Sequence, residues 1–275
     1  MRKLNDKKEF EKAIDLFSKA EEKSNETISA LSINQVLKFV TNRRDFQSGL
    51  NIHQRYLSLI EKNSFILVSL IHFYMDFGNV NIAEELFNKS KTKTIFMCGA
   101  MMKGYIKNNQ ANKAIDLFHE IKNPDEVNII LLFNACAQLA NKEALHLIEK
   151  VLKQIPESFK SNPRLLTSLL DALMKCGDVT DAQLLFSKSK NKTVPMYGTM
   201  MNGFNKDNKF SKILDLFNEM KINRIQGDVF IYLDLIKALA QIADYSKCQL
   251  FIKHIPDSFL SDNQIQNALI DMWVN

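Results

Sequence analysis

Hydrophobic residues recur at helical spacing along most of the chain, and residues 98–121 show the pattern clearly. A first apolar stripe runs over residues 98–108, and a second begins near residue 111. The stripes consist of Met101, Met102, Tyr105 and Ile106, and of Ala114, Ile115, Leu117, Phe118 and Ile121. Apolar positions three and four residues apart predict amphipathic helices. The polar stretch 107–110 predicts the turn between them, and Pro124 predicts the end of the second helix.

The same pattern returns about every 100 residues, as expected for a repeat array. Residues 13–17, 114–118 and 213–217 read AIDLF, AIDLF and ILDLF, and IPESF at 155–159 matches IPDSF at 255–259. Each long period divides into three helix hairpins. The predicted units are 1–29 (incomplete), 30–63, 64–94, 95–125, 126–162, 163–193, 194–228, 229–262 and 263–275 (incomplete). One hairpin cannot bury its own apolar face, so the units are predicted to stack as an all-α solenoid.

Composition agrees with a helical protein and gives little information about chemistry. Apolar residues make up 46% of the chain, with only 8 Gly and 5 Pro, and the net charge is +5. This mild basicity fits a nucleic-acid binder and an ordinary surface equally well. The four cysteines lie in apolar helical stretches without a Cys-x-x-Cys pair, which predicts buried thiols and a reducing compartment. No apolar run approaches the roughly 20 residues of a membrane span, and no targeting segment is visible.

Catalytic and metal-binding signatures are absent from the sequence. It has no Gly-rich phosphate loop, no Gly-x-Ser-x-Gly motif, and no histidine that pairs with two cysteines at metal spacing. We therefore expect no enzymatic activity, no cofactor and no metal. The Met101-Met102 and Met200-Met201 pairs are predicted to fill the core.

Three stretches resemble pentatricopeptide repeats, of the subclass in which units called P, L and S alternate. They are 194–204 (VPMYGTMMNGF) followed by 213–220, then 125–136 (DEVNIILLFNAC), and 167–178 (TSLLDALMKCGD) followed by 182–186. The resemblance extends over essentially the whole chain, whereas the tetratricopeptide signature is missing. Both ends fall inside a unit, so the chain is expected to be either part of a longer array or the product of a truncated gene model.

The resemblance implies a right-handed α-α superhelix of about eight to nine repeats, forming one solenoid over residues 1–275. It implies single-stranded RNA as the partner, with one base per repeat. The role would be that of an adaptor in RNA processing, editing or other RNA modification, with an RNA-modifying enzyme as a further partner. Members of the family mostly work in mitochondria or plastids. A zinc deaminase domain often ends such arrays, but its His-x-Glu and Pro-Cys-x-x-Cys motifs are not present here.

The family reads each base with the fifth and the last residue of a unit. The corresponding pairs are Thr167 with Thr193, Gly99 with Asp125, Gly198 with Asp228, and Val68 with Thr94, and Asn267 is the fifth residue of the last unit. Thr167, Asn267 and the two aspartates fit the family's pattern. The glycines and Val68 do not, because they offer no polar group to a base.

The thirteenth position of three units holds a lysine: Lys107, Lys175 and Lys206. At the end of the first helix, an ammonium could meet a phosphate of the RNA backbone. The alternative is that these lysines interact with the negative end of the helix dipole. Phe65 and Phe96, at second positions, are candidates for stacking on bases, and packing between units explains them equally well.

The sequence is also compatible with two alternatives to RNA binding. The weak set of base-reading residues suits a protein-binding scaffold that holds a peptide or helix on its concave face. A degenerate copy that binds nothing tightly is a further alternative. A continuous positive stripe along the concave face would favour RNA, whereas an apolar and acidic lining would favour a protein partner.

Overall fold

The computed structural model describes residues 29–60, 63–156 and 159–274, and these residues form helices joined by short loops. None of them lies in a β-strand. The all-α prediction is therefore confirmed. In chain order the helices are α1 (Ala30–Arg43), α2 (Phe46–Arg55), α3 (Leu57–Ile60), α4 (Ser64–Asp76), α5 (Val80–Lys89), α6 (Ile95–Lys107), α7 (Ala111–Glu120), α8 (Glu126–Leu139), α9 (Lys142–Leu152), α10 (Pro163–Lys175), α11 (Val179–Lys188), α12 (Val194–Lys206), α13 (Phe210–Ile222), α14 (Val229–Ile242), α15 (Tyr245–Ile252), α16 (Asp257–Leu260) and α17 (Asn263–Val274), with a 3-10 turn at Phe159–Ser161.

The predicted unit boundaries coincide with helix starts. Every predicted unit in the described part of the chain begins at the first residue of a helix. These residues are 30, 64, 95, 126, 163, 194, 229 and 263. The agreement arises because polar capping residues precede each apolar stripe and so mark where the helix begins. The incomplete unit 1–29 lies outside the described residues, apart from Ser29.

The chain divides into two compact units, one up to Asn128 and one from Ile129. In the first unit, α1 packs on α4 and α4 packs on α6, so the first helices of successive hairpins form one layer. The second helices α2, α5 and α7 each pack on their own first helix, and α5 also contacts α6. This two-layer arrangement buries the apolar stripe that no single hairpin could bury.

The second unit repeats this arrangement. Helices α10, α12, α14 and α17 pack side by side in that order. Helices α11 and α13 each contact their own first helix and the first helix of the next hairpin, while α15 packs on α14. The prediction of one solenoid over residues 1–275 stays a prediction, because each unit is described separately.

Left-handed residues close the hairpin turns. Gly78 and Gly177 have φ angles of +79° and +90°, and Asn109 and Asn208 both have φ of +57°. After each of them, the next backbone N–H donates to the carbonyl five residues earlier, at 2.8 to 2.9 Å. This bond satisfies a carbonyl that the end of the helix leaves open, and Gly and Asn are the residues that adopt this backbone conformation most easily. The predicted turn at 107–110 is confirmed.

Two helical glycines allow first helices to approach each other closely. A Cβ atom on Gly104 would lie 2.3 Å from Met75 Cγ, and one on Gly203 would lie 2.3 Å from Met174 Cε. Both distances are far below van der Waals contact, so glycine is needed for the close approach at α6, where the contacts are near the Met75 backbone, and favours it at α12, where the contact is the movable Met174 methyl. The methionine pairs at 101–102 and 200–201 are buried, which confirms that they fill the core.

The structure corrects one predicted helix end. Helix α7 ends at Glu120, four residues before Pro124, because the Ile121 N–H donates to the Phe118 carbonyl and the chain then becomes extended. Pro163, in contrast, is the first residue of α10, where proline needs no hydrogen-bond partner. Among the described residues, none of the helices has the length and apolar character that crossing a bilayer requires.

Candidate functional site

The last residues of the predicted units lie at helix N-termini. The Met97 N–H donates to Thr94 Oγ1 at 3.3 Å, and the Ile231 N–H donates to Asp228 Oδ1 at 3.1 Å. Asp125 accepts a bond of 2.9 Å from the Asn128 N–H through Oδ1 in the same way. These side chains cap the following helix. Because only one carboxylate oxygen of each aspartate makes this bond, the other oxygen can accept a bond from a ligand.

Thr193 differs from these capping residues. It occupies the N-cap position of α12, yet its side chain makes no capping hydrogen bond. Its hydroxyl can therefore donate to a ligand or accept from one. Thr167, one turn into α10, donates its hydroxyl to the Pro163 carbonyl at 2.7 Å, which leaves its oxygen as an acceptor.

Thr167 and Thr193 come together in one open groove of about 640 Å³. The groove lies on the layer of first helices of the second unit, and α8, α10 and α12 supply its walls. Its lining includes Asn134, Arg164 and Asp171, so hydroxyl, amide, guanidinium and carboxylate groups face one space. The fifth and last residues of unit 163–193 thus lie close enough to contact the same small ligand.

The other predicted fifth-position residues differ in the polar groups that they offer. Gly99 and Gly198 are half-buried on α6 and α12. A Cβ added at Gly198 would meet Ile231 Cδ1 at 3.6 Å, an ordinary contact, so this position has room for a side chain. Asn267 is exposed on α17. The structure therefore gives the fifth position of these units different capacities to form hydrogen bonds.

Exposed apolar side chains occupy the second position of several units. Phe65 and Phe96 are 68% and 67% exposed on the first turns of α4 and α6. Such exposure disfavours the alternative that they pack between units, because a packed ring would be largely buried. Sequence reasoning missed three further members of this set, which the repeat register could have identified. They are Leu31, Val127 and Phe230.

The three thirteenth-position lysines have different partners. Lys107 Nζ lies 2.5 Å from Asp76 Oδ1 on the preceding first helix, and Lys175 Nζ lies 2.7 Å from Asp171 Oδ2 on its own helix. Lys206 is exposed and forms no ion pair within the described part of the chain. Surface ion pairs are weak, so a phosphate can compete for Lys107 and Lys175 at some cost. Within the described part of the chain, Lys206 is the one of these three lysines that a phosphate can reach without first displacing a carboxylate.

Several polar residues in the same register were also missed by the sequence reasoning. Asn63, Asn162 and Asp262 are the last residues of units 30–63, 126–162 and 229–262, and each caps the following helix through a side-chain oxygen. Asn34 is the fifth residue of its unit, and its buried Oδ1 has no partner among the described residues. Extending the two-position rule to every unit would have identified all four.

Burial holds several titratable groups in their neutral forms. Burial raises the pKa of the Cys136 thiol to about 12, so this cysteine stays protonated and unreactive at neutral pH. Burial, followed by a hydrogen bond to Glu219, raises the pKa of Tyr197 to about 12. Within residues 29–60, 63–156 and 159–274, no three His, Cys, Asp or Glu side chains come together as metal ligands would.

A pentatricopeptide repeat model matches residues 96–123, 165–194 and 195–225. These stretches cover all but the first one or two residues of hairpins α6–α7, α10–α11 and α12–α13. Three hairpins of this chain are thus similar to pentatricopeptide repeats.

Curated relatives from Arabidopsis thaliana carry the same repeat. One pentatricopeptide repeat-containing protein is 27% identical over 237 residues, which is 82% of this chain and 28% of the relative. Another, named as chloroplastic, is 24% identical over 252 residues, or 89% of this chain and 31% of the relative. A third, named as mitochondrial, is 25% identical over 87% of this chain and 35% of the relative. The chain thus spans about a third of the length of these proteins.

The fold is that of known pentatricopeptide repeat structures. The structure of PPR10 in complex with an 18-nucleotide psaJ RNA element has a TM-score of 0.71 to this chain, with 17% sequence identity, over 95% of this chain and 40% of PPR10. A crystal structure of PPR10 from maize has a TM-score of 0.68 with 15% identity, over 96% of this chain and 44% of PPR10. The predicted helical-repeat solenoid is confirmed by this likeness.

Proposed function

We propose that this chain binds single-stranded RNA with about one base per helix hairpin and acts as an adaptor in RNA processing, editing or other RNA modification. The groove that joins Thr167 and Thr193 carries the proposal. It presents two hydroxyl groups from the fifth and last positions of one repeat on the layer of first helices. PPR10, which shares this fold, forms a complex with RNA.

The exposed second-position side chains suit the same ligand. The rings of Phe65 and Phe96 stand at the first turns of neighbouring first helices, beside the capping residues that precede those helices. Stacking of a base on an exposed aromatic ring is worth roughly 1–3 kcal/mol and tolerates any base. Stacking would hold the base, and the fifth and last residues would then select it.

The alternation of P, L and S units is part of this proposal. An additional short helix or turn follows the second helix in every third hairpin of the described chain. These segments are α3, the 3-10 turn at Phe159–Ser161 and α16. Their recurrence supports three unit types in a fixed order, with units 30–63, 126–162 and 229–262 as the long type.

We further propose an organellar location and an RNA-modifying enzyme as a partner. Support for the location comes from relatives that are named as chloroplastic or mitochondrial. The enzyme as a partner follows from the adaptor role that the resemblance to pentatricopeptide repeats implies.

The test is binding of the purified chain to a random single-stranded RNA pool and to duplex RNA, at two salt concentrations. We expect single-strand preference, affinity that falls with salt, and enrichment of a short motif. The Thr167→Val and Thr193→Val double variant should lose the preference at one base position while it keeps most of its affinity.

The matched control is Thr180→Val, which changes a threonine on the second helix α11, away from the groove. It should bind and select as the parent does. A folded parent chain that shows no preference for single strands at low salt would reject RNA binding and direct attention to the scaffold function.

A further inference from the structure

Residues 188–192, which comprise the last residue of α11 and the loop before α12, read KSKNK and immediately precede Thr193. Lys188 at the end of α11 and Lys190 in the loop are both exposed, and neither ammonium forms an ion pair or hydrogen bond within the described part of the chain. The equivalent loop 89–93 of the earlier short unit reads KSKTK. The same spacing of three lysines therefore occurs twice, each time directly before the last residue of a unit.

The last lysine of this loop has a different role from the other two. Lys192 Nζ lies 4.6 Å from the centroid of the Phe186 ring and 2.6 Å from Glu219 Oε1. Glu219 also accepts a bond of 3.0 Å from the Tyr197 hydroxyl. This carboxylate is therefore already engaged by Lys192 and Tyr197. The charges of Lys188 and Lys190 are left without a counter-ion.

Residues of this segment line two depressions of the surface, and each of these depressions shares a lining residue with the groove of Thr167 and Thr193. One of about 360 Å³ is lined by Lys188, Lys190 and Pro163. Pro163 also lines the groove that holds Thr167 and Thr193. The other depression, of about 440 Å³, is lined by both Lys190 and Thr193. Each depression that contains a lysine thus shares one lining residue, Pro163 or Thr193, with the groove of the two threonines.

We propose that Lys188 and Lys190 bind the phosphates of the nucleotide whose base lies in the Thr167–Thr193 groove. This inference rests on the proposed function and adds a second set of cations to the thirteenth-position lysines. Ammonium contacts to phosphates raise affinity without reading sequence, and they position the strand for the residues that do. The neighbouring groove presents hydroxyl, amide and guanidinium groups together with the Asp171 carboxylate, which favours a neutral base over an acidic side chain of a peptide as the occupant.

The experiment measures RNA affinity of the full chain as a function of salt for the Lys188→Gln and Lys190→Gln double variant. Removal of one ammonium–phosphate interaction should reduce the slope of log K against log salt by about 0.7 for single strands. We expect a smaller slope, several-fold weaker binding at low salt, and the same selected motif as the parent. An unchanged slope and affinity would overturn the proposal.

The matched control removes two exposed lysines from the region of the second helix α9, with Lys150→Gln and Lys153→Gln. It has the same change in net charge and should leave the slope as in the parent. An equal reduction in affinity in both double variants would mean that only net charge matters, and this result would also overturn the proposal. Helicity and urea unfolding of each variant establish that it is folded.

A second probe separates this inference from the proposed function. An abasic phosphodiester oligomer carries the phosphates without bases, and protection of Lys188 and Lys190 from acetylation reports contact with it. If the oligomer protects Lys188 and Lys190 from acetylation but the chain does not bind single-stranded RNA, the phosphate site is supported and base recognition is rejected. The absence of protection would reject the site. Displacement of the oligomer by poly-glutamate at equal charge concentration would overturn the assignment in favour of an acidic protein partner.

Discussion

Hairpins α6–α7 and α12–α13 occupy equivalent places in the two compact units, and their sequences are similar. Both first helices have glycine at the fifth and tenth positions of the unit, and both second helices carry the AIDLF-like stripe. In both, the glycine at position ten lies against a methionine of the preceding first helix. The packing of the two hairpins is therefore nearly the same, because it depends on residues that are shared.

The polar groups of the two hairpins are arranged differently. Lys107 of α6 is held by Asp76, whereas Lys206 of α12 has no ion pair in the described chain. The residue before each lysine also differs. Ile106 is apolar, but Asn205 donates to both the carbonyl and the carboxylate of Asp234 on the next first helix, each at 3.0 Å. Equivalent positions of the two hairpins therefore have the same place in the fold but different charged and hydrogen-bonding partners.

The largest expected effect is on stability, from alanine at the tenth position. In Gly104→Ala the new Cβ would lie within 2.6 Å of both Met75 Cβ and Cγ, atoms close to the backbone. Overpacking of this kind costs about 1–3 kcal/mol, against roughly 1 kcal/mol gained from helix propensity. Gly203→Ala should cost less, because its shortest contact is to the terminal methyl of Met174, which can move.

Urea unfolding followed by circular dichroism measures this difference. Gly198→Ala is the control, because its Cβ would meet Ile231 at an ordinary 3.6 Å. This variant should be as stable as the parent or more stable by up to about 1 kcal/mol. A Gly104→Ala chain as stable as Gly198→Ala would show that the close approach of α6 and α4 is not needed.

The second prediction concerns the two thirteenth-position lysines. Lys206→Gln should weaken RNA binding and reduce the salt slope by about 0.7, the value for one phosphate contact. Lys107→Gln should have a smaller effect, since Asp76 already neutralises the ammonium. Asp76→Asn should strengthen binding for the same reason. Fluorescence anisotropy over a series of salt concentrations tests all three, and equal effects of the two lysine variants would contradict the comparison.

The comparison also shows what the sequence could predict. Helix starts, hairpin turns and the buried methionine pairs follow from apolar periodicity and from Gly, Asn and capping residues, which act locally. The groove could not be predicted in this way. It depends on how far α8, α10 and α12 lie from one another, which is set by packing between hairpins. The same is true of the Lys107–Asp76 pair, whose members are 31 residues apart.

A third prediction adds a base-reading group where one is missing. Gly198 precedes Asp228 in the same unit and has space for a side chain. In Gly198→Asn, a new hydrogen bond to a base should contribute about 1 kcal/mol, or roughly fivefold in affinity for the preferred base. Selection from a random RNA pool should then show one additional specified position. A Gly198→Ala chain, which fills the space without polar groups, should select the same motif as the parent.

The smallest effect concerns the carboxyl of Asp234. Burial raises its pKa above the ordinary value, and the Asn205 side chain bonded to it has a buried Oδ1 without a partner in the described chain. A raised pKa means that the folded state holds the proton more tightly than the unfolded state. The free energy of unfolding therefore falls as pH rises from about 3.9, the usual unfolded value, through the folded pKa.

Asp234→Asn removes this titration and places an amide N–H₂ near the open Asn205 oxygen. The variant should equal the parent in stability at neutral pH or exceed it by about 1 kcal/mol, the value of one satisfied hydrogen bond. Its unfolding free energy should also lack the decline with rising pH that Asp234 contributes. Urea unfolding at a series of pH values from acid to neutral provides the measurement. A destabilised Asp234→Asn chain would show instead that the carboxylate form is favoured in the fold, through the amide of Asn205 and Lys237.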